Sequence, residues 1–174
     1  MTVATRLAST GTERDELVRE AATMVLYVSV VEIAELAALP ETHRLGRVTG
    51  PVGTALVAII WGTAIGLAVA HWFAFGFAAR ELRGGVRRID FQVGLAQLGA
   101  AAFVAAVSCL PIVLFGDVRE QEFIGVMPAI LIGVSSYFIG RTSGRSRLAA
   151  AIYGAIALLA GLAVAAIKGA LAAH

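Results

Sequence analysis

Apolar residues gather into five long runs separated by short polar stretches, at residues 21–39, 52–77, 91–115, 123–140 and 148–172. Each run approaches or exceeds the roughly 17 to 25 residues that a helix needs to cross the hydrocarbon core of a bilayer. The pattern predicts an all-α fold, a polytopic membrane bundle of five transmembrane helices forming one domain over residues 21–172. Residues 1–20 precede it as an acidic, amphipathic helical extension carrying Glu13, Asp15, Glu16 and Glu20. Thr10 with Glu13, and Thr12 with Asp15, have capping-box spacing, so the first helix is expected to begin near residue 13. An acidic stretch ahead of the first apolar run also argues against a cleavable secretory signal.

Polar positions inside the runs are few. Of 14 basic and 12 acidic residues, only Glu32, Glu35 and Lys168 fall within them. The chain is 59% hydrophobic and 15% charged with a mean hydropathy of +0.84, whereas a soluble domain carries about 25% charged residues. A soluble globular fold is excluded. The net charge of +2 is small and spread over the loops, which argues against a nucleic-acid-binding patch. Cys109 is the single cysteine and has no partner for an intrachain disulfide or a thiolate metal site.

Loop charge sets an orientation. With five spans, ten Lys and Arg residues lie on one side and four on the other; without the first span the two sides hold seven each. The positive-inside rule therefore favours five spans, with the N-terminus, residues 80–88 and residues 141–147 in the cytoplasm. Arg80, Arg83, Arg87 and Arg88 read as inner-face anchors that contact anionic lipid headgroups. Pro111 and Pro128 flank the same outer turn, and each removes a helix hydrogen bond, which allows a paired kink there.

Helices in lipid associate through close backbone approach, so small residues four apart mark packing faces. The second run carries Gly62 and Gly66, and the fifth carries Ala157, Gly161, Ala165 and Gly169. These faces suit either intrachain packing or a homo-oligomer.

The candidate chemistry rests on three residues. Glu32 and Glu35 are three apart and so project from one side of the first helix, about 10 and 6 Å inward from its outer end at the helical rise. A carboxyl group there must be hydrated, paired or protonated, since lipid cannot solvate its charge. The pair is a candidate proton or cation site. Its structural alternative is a snorkelling Glu35 with Glu32 in one interhelical hydrogen bond. His71, the only histidine in a run, fits an inner aromatic belt beside Trp72 and Phe73, or a proton relay if water links it to Glu32. No metal site is expected, because His43 and His174 fall outside the runs, and no cofactor motif is present.

Gly133-Val134-Ser135-Ser136 resembles part of an intramembrane serine-protease signature, but serine stands where that signature has glycine, and His71 precedes the serine instead of following it. An enzyme is therefore not expected. The stretch from Trp61 to Phe75 (Trp-Gly-Thr-Ala-Ile-Gly-Leu-Ala-Val-Ala-His-Trp-Phe-Ala-Phe) resembles segments of uncharacterised small membrane proteins of high-GC actinobacteria. The resemblance implies a bacterial inner membrane and no activity. The expectation from the sequence is a homo-oligomeric channel or transporter for protons or small cations built on Glu32 and Glu35, in contact with membrane lipids. The alternative is a non-conducting structural or accessory subunit.

Overall fold

All five apolar runs fold as helices, and the computed structural model describes residues 3–39, 43–44, 47–48, 51–83, 85, 88–115 and 125–172. The elements are α1 (Val3–Leu36), α2 (Thr54–Arg83), α3 (Arg88–Ser108), the short α4 (Leu110–Phe115), α5 (Val126–Thr142) and α6 (Arg147–Ala172). Between α1 and α2 a two-residue antiparallel ladder pairs His43 with Val48 and Arg44 with Arg47. Among the described residues it is the one departure from an all-α chain. Three helical stretches, Thr54–Ala78, Arg88–Leu114 and Arg147–Val164, are long and apolar enough to cross a membrane, while Val126–Thr142 is apolar but shorter.

Two expectations need correction. Helix α1 begins at Val3 and not near residue 13, so Thr10 and Thr12 lie inside it. Once a helix is nucleated, each added residue gains a hydrogen bond, and no proline interrupts this segment. Helix α2 continues through Arg83, which puts Arg80 in its last turn, where a cation complements the negative end of the helix dipole. The paired kink is a single break. Pro111 offers no N–H to the Val107 carbonyl, and the N–H groups of Ile112 and Val113 donate to the Cys109 carbonyl at 3.1 and 3.3 Å. Pro128, the third residue of α5, stands where no intrahelical bond exists to be lost.

Contacts between helices fix their directions. Gln97 faces Glu20 and Ser108 faces Glu32, so α1 and α3 run parallel. Trp72 meets Phe91 edge-on, with ring centroids 5.8 Å apart, and Trp61 lies beside Cys109; α2 therefore runs against α3. Gly133 packs on Leu158 and Gly140 on Ala150, so α5 and α6 are antiparallel. Ile33 with Ala129 and Ile132, and Arg19 with Thr142 across a shared cleft, set α5 against α1. This alternation brings Asp15–Arg19, Arg80, Arg88 and Arg141 to one end of the bundle, called the inner end below.

Helix α1 lies at the centre. One core joins Met24 and Val28 to Leu56, Ile60, Ala64 and Ala68 of α2 and to Ala101, Val104 and Ala105 of α3. A second joins Ile33 to Ala129 and Ile132 of α5, with Ala157 and Leu158 of α6. Small side chains fill much of the interior while Phe73, Val113, Leu148 and Leu159 stand exposed on the outside. That inverted arrangement suits a lipid exterior, where packing rather than water expulsion joins helices.

The predicted small-residue faces fare differently. Gly161 lies against Ile132 and Ile33, and Ala157 is half-buried, so the α6 face packs within the chain. The side chain of Ala165 and the surroundings of Gly169 lie outside the described residues, as do Arg87 and the side chains of Arg83 and Lys168. Gly62 and Gly66 of α2 have no neighbour within 4 Å of an added Cβ, so among the described residues no helix packs closely on them. Gly154 makes the close approach instead: a Cβ there would sit 2.7 Å from the Gly133 carbonyl oxygen. Gly154→Ala is accordingly expected to destabilise the bundle by about 1–3 kcal/mol in detergent unfolding followed by circular dichroism, while Gly62→Ala leaves the unfolding curve unchanged.

Candidate functional site

The seam between α1 and α3 holds two polar clusters separated by an apolar layer. Its geometry follows from periodicity on both helices. Asp90, Gln97 and Ser108 are seven and eleven residues apart, close to whole numbers of helical turns, and so share one face of α3. On α1, residues 20, 24, 28 and 32 follow the four-residue ridge that meets this face.

The outer cluster centres on Glu32. None of its surface is exposed, and Ser29 and Ser108 beside it in sequence or space are equally buried. The Ser108 hydroxyl donates to Glu32 Oε2 at 2.5 Å, whereas Glu32 Oε1 and Ser29 Oγ have no hydrogen-bond partner among the described residues. Such groups are costly in a dry interior, and each buried acceptor left unmatched needs a reason. Ser108 is also the last residue of α3. The break at Pro111 deprives the Val107 carbonyl of its helical donor, and Ile112 N–H bonds Cys109 in place of Ser108. Glu35 lies one turn further out, half-buried and within electrostatic range of Glu32.

The inner cluster is formed by Glu20, Gln97, Tyr27 and His71. Gln97, 1% exposed, donates from Nε2 to Glu20 Oε2 at 3.3 Å, and its Oε1 has no partner. With Thr23 and Met24 these residues line a cleft of about 320 Å³. The Tyr27 and His71 rings are 6.5 Å apart at 45°. Asp90 is buried below them at the start of α3.

Between the clusters stand Val28, Ala101, Val104 and Ala105, all fully buried. Glu20 and Glu32 are twelve residues apart, about 18 Å along the helix axis, so His71 and Glu32 belong to different clusters. The arrangement brings Glu32 together with serines and places His71 with Glu20 and Gln97. Gln97, Ser108 and Ser29 are site residues that formal charge did not single out. For Gln97 and Ser108 the signal in the sequence was the seven- and eleven-residue spacing of Asp90, Gln97 and Ser108 along α3; Ser29, on α1, carries no such spacing.

The other predicted residues lie on the periphery. Arg80 rims an apolar groove of about 410 Å³ formed with Val69, Trp72, Phe73, Gly76 and Phe77, and Arg88 is exposed. Among the described residues no group of His, Cys, Asp and Glu is placed to hold a metal ion. Compared with known proteins, the chain matches no family model, no curated protein and no solved structure.

Removing the Ser108 hydroxyl would leave both oxygens of Glu32 buried without a side-chain donor. Ser108→Ala is expected to cost about 1–3 kcal/mol of stability. The comparison is Ser143→Ala, at an exposed site, whose unfolding midpoint in the same detergent should match the wild type.

Proposed function

We propose that this chain is a five-span membrane protein that moves protons or small monovalent cations, with Glu32 as the group that takes up and releases the charge. The carrying observation is Glu32 itself: an acid enclosed by the bundle, with one oxygen held by Ser108 and the other without a partner. An intramembrane acid facing the protein interior rather than lipid is a functional site by default, because its burial is hard to sustain for packing alone. Ser108 orients the carboxyl group, and Oε1 is left to exchange a proton or meet a cation. Glu35 provides the next acidic group toward the outer end, and the cleft at His71 opens the seam from the inner end.

Transfer between the two clusters requires Val28, Ala101, Val104 and Ala105 to part, so the cycle exposes Glu32 to one side at a time. The same apolar layer favours the second reading, a non-conducting structural or accessory subunit in which the Glu32–Ser108 bond clasps α1 to α3. The five spans are supported by the alternating helix directions and by the clustering of Arg80, Arg88 and Arg141 at one end. The enclosure of α1 explains how a helix with two glutamates enters the bilayer. The open Gly62 and Gly66 face suits contact with a second copy, and a bacterial inner membrane fits the orientation of the charges.

Flux measured in proteoliposomes separates the readings. With a potassium potential driving uptake, an internal pH dye or a sodium dye should report flux for the wild type. Glu32→Gln, which keeps the size and the Ser108 contact, should reduce it to background, and Glu35→Gln should reduce it in part. Unchanged flux in Glu32→Gln removes the carrier role, and absence of flux in the wild type leaves the structural subunit. The spans are tested by labelling in a Cys109→Ala background. A cysteine at Ser146 should react only with reagent that reaches the cytoplasmic face, and one at Thr54 only from outside.

A further inference from the structure

The inner cleft does not depend on Glu32 for its chemistry, and its lining selects a ligand of its own. Gln97 is one of its lining residues, and the Gln97 Oε1 acceptor is buried and, among the described residues, unpartnered. The bond from Gln97 Nε2 to Glu20 fixes the amide orientation, so the atom left for a ligand is an acceptor and not a donor. Beside it is the Glu20 carboxylate, 22% exposed, whose nearest cation is the exposed Arg19 guanidinium at 3.4 Å. A surface pair of this kind contributes little and is readily exchanged. The Tyr27 and His71 rings, Met24 and Thr23 complete the lining.

We propose that this cleft binds a primary ammonium group. An ammonium carries three N–H donors, enough to satisfy Gln97 Oε1 and the Glu20 carboxylate together, and its positive charge is attracted to aromatic faces. The carbon attached to it meets Met24 and Tyr27. An anion is opposed by Glu20, and an apolar molecule would leave the amide acceptor unmatched. A hard divalent ion needs six or more oxygen ligands or retained waters, beyond what one carboxylate and one amide supply. The volume of about 320 Å³ is at the lower end for small-molecule sites. Because the cleft lies toward the end that carries Arg80 and Arg88, the ammonium has two sources: a free alkylamine, or the ethanolamine headgroup of a phosphatidylethanolamine. The assignment holds whether or not Glu32 conducts.

Titration of the full chain in phosphatidylcholine nanodiscs with ethylamine, followed by calorimetry, tests the site. Saturable binding is expected, with tetramethylammonium, which has no N–H, at least about tenfold weaker. Glu20→Gln and Gln97→Met should each weaken ethylamine about tenfold or more while circular dichroism remains that of the wild type. If the lipid headgroup is the native source, nanodiscs containing phosphatidylethanolamine suppress ethylamine binding competitively; if the free amine is, they do not. Equal affinity for tetramethylammonium, unchanged binding in Gln97→Met, or no saturable binding in phosphatidylcholine nanodiscs overturns the proposal. Should Glu20→Gln fail to fold, the selectivity of the wild type and the Gln97→Met variant decide the question.

Discussion

Helix α1 carries a buried carboxyl group and a buried serine on its inward faces, and the other helices are arranged so as to enclose them, since a buried polar group away from water must be packed against protein. Helices α2 and α3 cover α1 from one direction and α5 and α6 from the other, so the least apolar long helix occupies the middle of the bundle. The neighbours meet opposing demands on their two sides. Toward α1 they present alanines, Gln97 and Ser108; toward the surroundings they present Phe73, Phe103, Leu148 and Leu159. Close approach of backbones, as at Gly154 and Gly133, is the kind of packing that joins helices where the hydrophobic effect is weak.

Enclosure and chemistry meet at the α3–α4 junction. A proline that merely ended a helix would leave carbonyl oxygens facing lipid, an arrangement that membrane proteins confine to protected sites. Here Pro111 is itself buried, and the break lies beside Glu32 and Ser108. In the outer half of the bundle a helix break thus stands next to a buried carboxyl group. The inner half is organised differently, around rings and an amide, and the apolar layer between them keeps the two chemistries apart.

Much of this was legible in the sequence. Helix positions followed from the apolar runs because the bilayer thickness dictates run length, and Glu32 stood out because formal charges inside the runs are so few. The start of α1 was misread: the Thr10 and Thr12 signals are local, whereas helix propagation from the residues around them is cooperative. Gln97 and Ser108 were passed over because an uncharged polar residue does not register in a charge count, although its hydrogen bonds position the charged one. Small-residue spacing identified Gly161 but also Gly62 and Gly66, since spacing marks a face that permits close approach without saying which neighbour arrives. Gly154, the tightest of the α6 contacts, depends on where the Gly133 backbone lies. That is a relation between two helices and is written in neither alone.

The two hydrogen bonds across the α1–α3 seam have a mechanical meaning. Glu20 with Gln97 and Glu32 with Ser108 pin two parallel rods at points twelve residues apart on one and eleven on the other, in the manner of a vernier scale. A shift of one helical turn, about 5.4 Å, brings neither mark into coincidence, so sliding along the seam releases both ends at once. One inserted or deleted residue between Glu20 and Glu32 would turn the far end of α1 by roughly 100° and carry the carboxyl group out of the seam. The interval between these glutamates is therefore a length standard for the bundle.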